Sequence, residues 1–232
     1  ALAGVVLASW HAIQNRDIKI SPALLGALGL AFVFSMVCFV AVDFNYTNDL
    51  SYATYVLSFL TWIFAAYTVC VVIKWAHATI NLKLLTCYLA GVCFAQCVLA
   101  LLIDTNENLQ TLVNLYIEQG QDMLLEVHRL YGIGASLDNA GVRFCIVLIL
   151  IAGVISKEAS IRNSPIQLTF MLVAFFTILV VGNMISRTTS IGAIMAIIYL
   201  MLNTGLFSMV IKADFFKFHL LFGSMLILAL LI

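Results

Sequence analysis

The sequence predicts an all-α, polytopic transmembrane helical bundle of about eight spans. Of its 232 residues, 64% are hydrophobic and 9% are charged, whereas a soluble domain is about half apolar and about a quarter charged. The mean hydropathy is +1.12. This composition excludes a water-soluble globule and a disordered chain. The 11 basic and 11 acidic residues leave no net charge, so a nucleic-acid-binding protein is excluded as well.

A membrane-crossing helix needs about 20 mostly apolar residues. Five stretches reach this length with no charge inside, namely 22–42, 52–73, 84–103, 166–185 and 191–211. Three more spans are predicted at 137–156 with Arg143 in its first turns, at 215–232 with Lys217 near its start, and at 1–13 as the end of a longer span. All are expected to be helical, because lipid offers no partner to free backbone groups. Since apolar runs reach both termini, we expect the chain to be part of a longer protein.

The basic residues of alternate loops predict the orientation, since cytoplasmic loops are enriched in lysine and arginine. One set of loops holds three of the 11 basic residues, Arg129, Arg143 and Arg187, and the other set holds the remaining eight. The set of eight, which contains every lysine, is therefore predicted to be cytoplasmic. The outward set contains arginine alone, the residue suited to bidentate binding of phosphate or carboxylate.

The cysteines and histidines predict no metal centre. All six cysteines fall inside long apolar runs, where a cysteine is most often a small buried side chain. The sequence has no CxxC or HxxxH pattern of the kind that binds zinc. We therefore predict neither a disulfide framework nor a metal or other cofactor.

A long outward loop divides the chain into three predicted segments. Residues 1–103 form N-terminal transmembrane helices, residues 104–142 an extracytoplasmic loop, and residues 143–232 the C-terminal transmembrane helices with an arginine hairpin. Within the loop, apolar residues recur at helical spacing on both sides of Gly120, which predicts two amphipathic pieces at the membrane surface. Such a loop is a natural lid for a site that opens outward.

Arg143 and Arg187 are the candidate anion-binding residues, because each lies where a span begins on the outward side. A helix start carries free N–H groups and a partial positive charge, and an arginine beside it makes a site for phosphate. Two such starts side by side predict one outward pocket suited to a diphosphate. Two alternatives stay open, namely that Arg143 snorkels to lipid headgroups and that Arg187 anchors the hairpin at the interface.

Further polar residues surround these two helix starts. Asn183, Ser186 and Thr188 flank Arg187 and are predicted substrate contacts, and one hydroxyl group from residues 188–190 is expected to cap the outgoing helix. Asp138 is predicted either to contact substrate or to cap the span that follows it.

Residues 186–192, Ser-Arg-Thr-Thr-Ser-Ile-Gly, resemble the serine-arginine hairpin of bacterial O-antigen ligases and O-antigen or capsule polymerases. The segment from His128 to Arg143, with its Gly-Ile-Gly turn after a long outward loop, is similar to the segment that these proteins carry before a membrane span. The resemblance covers roughly residues 126–211, and elsewhere only the topology is similar. We find no second long loop with a histidine, which ligases often have, and this difference favours a polymerase or a related glycan ligase.

The resemblance implies a metal-independent glycosyltransferase without a cofactor, located in the bacterial inner membrane with its active site facing the periplasm. Such an enzyme transfers a glycan from an undecaprenyl-diphosphate carrier to a sugar hydroxyl, by polymerisation or ligation. Membrane lipids and other polysaccharide-assembly proteins are the implied partners. Arg143 and Arg187 match the family's phosphate-binding arginines.

The lid supplies the remaining candidates. His128 and Glu126 are candidate catalytic bases for the acceptor hydroxyl, and Arg129 is a candidate for orienting the acceptor or pairing with Glu126. The alternative for His128 is a solvated loop histidine.

A transporter or flippase of lipid-linked glycan is the alternative function. An ion-coupled transporter normally carries an ionisable residue at mid-membrane, whereas the mid-span polar residues of this chain are few and neutral, for example Gln96 and Asn203. A non-catalytic membrane scaffold is a further alternative, although a scaffold would not need an outward face with arginine alone.

Overall fold

The computed structural model describes residues 1–15, 21–116, 130, 131, 133 and 137–203. Within these residues the chain is helical and contains no strand, which confirms the all-α prediction. The described helices are α1 (Leu2–Asn15), α2 (Pro22–Phe44), α3 (Tyr55–His77), α4 (Leu82–Thr105), α5 (Glu107–Tyr116), α6 (Leu137–Lys157), α7 (Ala159–Arg162), α8 (Pro165–Ile185) and α9 (Thr188–Asn203).

Five of these helices, α2, α3, α4, α6 and α8, are long and apolar enough to cross a membrane. Helices α1 and α9 are also apolar but have only 14 and 16 residues within the described part of the chain. The predicted stretch 215–232 lies outside the described residues. The count of eight spans is therefore not confirmed, whereas a multi-pass membrane protein is the architecture that five such helices indicate.

The helix boundaries follow local chemistry. Pro22 and Pro165 occupy the first turns of α2 and α8, where the missing N–H has no intrahelical partner to lose. The Asn81 side chain accepts a hydrogen bond from the Leu84 N–H at 2.7 Å and so caps α4. Ala78 ends α3 in the left-handed conformation, with a φ of 61°.

The chain divides into two compact units, Ala1–Ile80 and Asn81–Ile232. In the first unit, α3 contacts both α1 and α2. In the second unit, α4, α6 and α8 contact one another, and α9 packs on α6 and α8. Helix α4 belongs to the second unit, where its small residues Ala90, Cys93 and Cys97 are buried in the core. The predicted division of the chain into three segments stays a prediction.

The start of the long loop is ordered on the end of α4. Asn106 separates α4 from α5, and its side-chain oxygen accepts hydrogen bonds from the N–H groups of Asn108 and Leu109. Val113 of α5 is buried with Ile103 and Tyr131 in a small apolar cluster. Helix α5 confirms the first predicted amphipathic piece, and the second piece lies mostly outside the described residues.

Candidate functional site

The hairpin between α8 and α9 is held by backbone hydrogen bonds on both of its sides. The Ser186 N–H donates to the Gly182 carbonyl at 2.8 Å, which closes the last turn of α8. The Ser186 carbonyl then accepts from the Thr189 N–H at 3.1 Å, which opens the first turn of α9. The chain therefore reverses direction over two residues, Ser186 and Arg187, between two rigid helices.

Side-chain hydrogen bonds tie the start of α9 back to α8. The Thr189 hydroxyl donates to the Gly182 carbonyl at 3.0 Å, and the Ser190 hydroxyl donates to Oδ1 of Asn183. We predicted that a hydroxyl of residues 188–190 would cap α9. The hydroxyls of two of these residues, Thr189 and Ser190, donate to acceptors of α8. The N–H groups of Thr189 and Ser190 donate to the carbonyls of Ser186 and Arg187, each at 3.1 Å, so neither is free for another partner.

Two of the predicted substrate contacts lie in the interior of this hairpin. Ser186 is 1% exposed and Asn183 is 8% exposed. The Ser186 hydroxyl has no hydrogen-bond partner among the described residues and faces Gly141 of α6. A ligand has no access to either side chain in this arrangement. Both side chains therefore pack inside the hairpin and do not line its surface.

Arg187 is the exposed residue of the turn, and Thr188 beside it is half-buried. The Arg187 guanidinium therefore extends from a fixed backbone at the N-terminus of the 16-residue helix α9. A helix N-terminus and a guanidinium group both favour an anion, and the planar fork of arginine matches two oxygens of a phosphate. Chemically, this arrangement can hold a phosphate group at the end of the bundle that the basic-residue count predicts to be periplasmic.

Small residues let α6 lie directly against this hairpin. A Cβ added to Gly141 would collide with the Ser186 hydroxyl and would lie 2.9 Å from Cβ of Thr188. A Cβ added to Gly192 would lie 2.8 Å from Cβ of Cys145 and even closer to its Cα. The Cys145 thiol also approaches the Thr188 carbonyl at 3.6 Å. Gly141 thus lies against Ser186 and Thr188, and Cys145, one turn further along α6, lies against Thr188 and Gly192. Helices α6 and α9 are therefore parallel and begin at the same end of the second unit.

Arg143 lies on a different face of α6 from Gly141 and Cys145, the residues that contact the hairpin and α9. It lies two residues from both Gly141 and Cys145, and two residues correspond to about 200° around a helix. Arg143 is exposed, and its Nε donates to the Asn139 carbonyl at 3.2 Å. The structure thus places Arg143 and Arg187 at the same end of the bundle but does not bring them together across the α6–α9 contact. A pocket that used both arginines would have to reach around the first turns of α6.

The remaining predicted site residues lie where few side chains are described. Glu126, His128 and Arg129 fall outside the described residues. Asp138 lies in the first turn of α6, and only its backbone is described. The predicted roles of these four residues stay predictions.

The cysteines and the acidic residues form no metal centre in the part of the chain that the structure describes. No group of three or more His, Cys, Asp or Glu side chains comes together there. All six cysteines are free thiols. Cys93 and Cys97 are buried in the apolar core of the second unit, as their positions within an apolar run predict.

Comparison with protein-family models, curated proteins and solved structures finds no match to this chain. The resemblance of the hairpin to glycan ligases and polymerases therefore stays a prediction, and the site has to be argued from its own geometry.

That geometry contains residues that the sequence alone did not single out. Gly141, Cys145 and Gly192 determine how closely α6 approaches the hairpin, yet each is a small residue in an apolar helix. The signal available beforehand was their spacing, since Gly141 and Cys145 are four residues apart and lie on one helix face. Small residues on one face are typical of close contacts between membrane helices.

Proposed function

We propose that this chain is part of a membrane glycosyltransferase that polymerises or ligates undecaprenyl-diphosphate-linked oligosaccharide on the periplasmic face of the bacterial inner membrane. One observation carries the proposal: Arg187 is exposed at the N-terminus of α9, on a hairpin where the Thr189 and Ser190 hydroxyls are bonded to α8. A diphosphate at a membrane surface is an anion that such a site fits, and the hairpin sequence resembles that of enzymes with this substrate.

In the proposed reaction, the acceptor hydroxyl oxygen attacks the anomeric carbon of the donor glycan. The new glycosidic bond forms as the bond between that carbon and the phosphate oxygen breaks, and the lipid diphosphate leaves with the electron pair. Charge grows on the leaving phosphate, and fixed positive groups lower the barrier because they need no rearrangement as the charge develops. The Arg187 guanidinium and the positive end of the α9 dipole supply this charge.

The acceptor hydroxyl loses its proton in this step and needs a base within hydrogen-bonding reach. His128 and Glu126 of the lid are the proposed bases, with Arg129 and Asp138 proposed to contact the acceptor sugar. Arg143 is proposed to contact the outer phosphate or a neighbouring lipid headgroup from its own face of α6. Other polysaccharide-assembly proteins are proposed partners.

The substitution Arg187→Lys tests the proposal. Lysine keeps the charge but lacks the planar fork that holds two phosphate oxygens. We expect glycan transfer to fall by about 10²–10³-fold, the typical loss for one such electrostatic contact, with Arg187→Ala at least as damaging. Folding should be unchanged, because the side chain is outside the packed core. The measurement is the formation of glycosidic product from a fluorescent undecaprenyl-diphosphate oligosaccharide in proteoliposomes.

Arg162→Lys is the matched control, since Arg162 is an exposed arginine of α7 at the opposite end of the second unit. It should transfer glycan at the parent rate. Near-parent transfer by Arg187→Lys would contradict the proposed role and favour the interface-anchor alternative. Movement of the lipid-linked glycan across the bilayer without any new glycosidic bond would identify a transporter instead.

A further inference from the structure

A cavity of about 610 Å³ lies inside the first unit, between α1 and the last turns of α3. This volume falls within the range of small-molecule sites. The residues around it that matter here are His11, Tyr67, Val71, Lys74, Trp75 and Ile80. The cavity belongs to neither the arginine hairpin nor the lid.

One wall of the cavity is polar and well defined. Nδ1 of His11 lies 2.7 Å from the Tyr67 hydroxyl, and the two rings meet edge to face with their centroids 6.1 Å apart. Gly4 allows this approach of α1 to α3, because a Cβ there would lie 2.8 Å from the Thr68 hydroxyl and closer still to the backbone of Phe64. The imidazole and the phenol are therefore held at fixed positions on the cavity wall.

Lys74 adds a positive charge to the same wall. It follows Tyr67 by seven residues, which is two helical turns, so both side chains lie on one face of α3. Lys74 lies in the last turn of α3, where free carbonyl groups favour a cation and repel an anion. Any attraction of the cavity for an anion therefore depends on the Lys74 ammonium group.

Apolar side chains of α3 line the cavity beside these polar groups. Val71 is buried, whereas the Trp75 indole is 67% exposed. Tryptophan and lysine at the end of a spanning helix mark the membrane–water interface. The count of basic residues predicts that this end of α3 is cytoplasmic. Lys74 lies about 10 Å farther along α3 than Tyr67, so the Lys74 end of the cavity is expected to meet headgroups and its Tyr67 end to meet acyl chains.

We infer that this cavity binds an anionic phospholipid of the cytoplasmic leaflet. The phosphate pairs with the Lys74 ammonium group, the hydrogen-bonded pair of His11 and Tyr67 donates its one remaining hydrogen bond to the lipid, and an acyl chain lies along Val71. Basic pockets between membrane helices on the cytoplasmic side are suited to such headgroups. The site is independent of the proposed glycan transfer, which is proposed for the periplasmic side of the membrane.

Tryptophan quenching tests the inference, because Trp75 is one of three tryptophans in the chain. The full chain with Trp10→Phe and Trp62→Phe is reconstituted in dioleoylphosphatidylcholine vesicles that contain brominated phosphatidylglycerol or brominated phosphatidylcholine. We expect Trp75 to report about fivefold stronger binding of the anionic lipid, the preference that one lysine gives. Lys74→Gln should remove this preference and Lys74→Arg should restore it.

The controls distinguish lipid binding in this cavity from a non-specific attraction of anionic lipid to exposed lysines. Lys157→Gln removes an exposed lysine of the same predicted side that does not line the cavity, and it should leave the preference unchanged. An equal preference for both lipids in the parent would overturn the inference, and so would an equal loss in Lys74→Gln and Lys157→Gln. Release of the brominated lipid by millimolar inorganic phosphate would also overturn it, because a lipid held by its acyl chain as well should remain bound.

Discussion

Replacing Gly192 by alanine tests how closely α6 and α9 pack behind the arginine hairpin. The new Cβ would lie 2.8 Å from Cβ of Cys145 and closer to the Cα of that residue. A backbone atom cannot rotate away as the end of a flexible side chain can. The two helices would therefore have to separate, and the hairpin that rests on α6 through Gly141 would move with them.

The expected cost can be estimated from this contact. Inserting one carbon into a well-packed contact destabilises a protein by about 1–3 kcal/mol. For a chain of this size, ~2 kcal/mol corresponds to a decrease of about 4–8 °C in Tm. Gly153 of α6 is the matched control, because a Cβ there meets no atom within 4 Å. Gly153→Ala should raise stability by about 0.5–1 kcal/mol, since alanine loses less conformational entropy in a helix than glycine.

The assay is thermal unfolding in detergent, followed with a maleimide dye that becomes fluorescent on reaction with thiols. Cys93 and Cys97 are 4% and 0% exposed, so the dye reacts with them as the second unit opens. Loss of monomer on size-exclusion chromatography after heating gives an independent measure. If Gly192→Ala melts at or above the Tm of the parent, the close approach of α6 and α9 is wrong, and so is the fixed position assigned to Arg187.

Three further outcomes are expected. In a cysteine-free background, a periplasmic thiol reagent should label Asn108→Cys but not Lys83→Cys, and the reverse pattern would contradict the predicted orientation. Asn183→Leu should lower stability by about 1–2 kcal/mol because it leaves the Ser190 hydroxyl without its buried acceptor, whereas the exposed control Asn203→Leu should change the melting temperature little. The pKa of Asp49 lies below its usual value because the Ser51 hydroxyl and then the Ser51 N–H, at 3.0 Å, bind its carboxylate. These contacts therefore stabilise the loop above the ordinary pKa of aspartate and are lost as pH falls through the lowered one. Ser51→Ala should raise the pKa of Asp49 in a carbon-13 carboxyl titration, and an unchanged pKa would show that the hydroxyl is not the main cause.

Hydropathy predicted the spanning helices closely because the length of an apolar run is a property of the sequence alone. The stretch predicted at 22–42 is α2, Pro22–Phe44, and the span extended back to residue 137 is α6, which begins at Leu137. The stretch 52–73 corresponds to α3, which begins later, at Tyr55, after a turn in which the Thr54 N–H and hydroxyl both donate to the Leu50 carbonyl. Composition does not reveal a turn of this kind.

The interior of the candidate site could not be predicted in the same way. Helix α8 is apolar on all sides, so its sequence does not show which face packs against a neighbour. Ser186 and Asn183 are polar residues next to an arginine, a pattern that favours ligand contacts. Their burial follows from the position of α6, which depends on Gly141 meeting a residue 45 positions later in the chain. Contacts of that kind are fixed by tertiary packing.

The two units differ in how much of each helix is covered by neighbours, and this difference bears on how the sequence can vary. Only 11% of the apolar window of α2 is buried, against 44% in α6 and in α8. A side chain that meets fluid acyl chains needs only to be apolar, whereas one that fits between helices needs a particular volume and shape. Positions of the first unit that face lipid can therefore exchange leucine, valine and phenylalanine while its hydropathy stays constant. Sequence similarity among homologous proteins should therefore be retained longest in the second unit, around the glycines that bring α6 and α9 together.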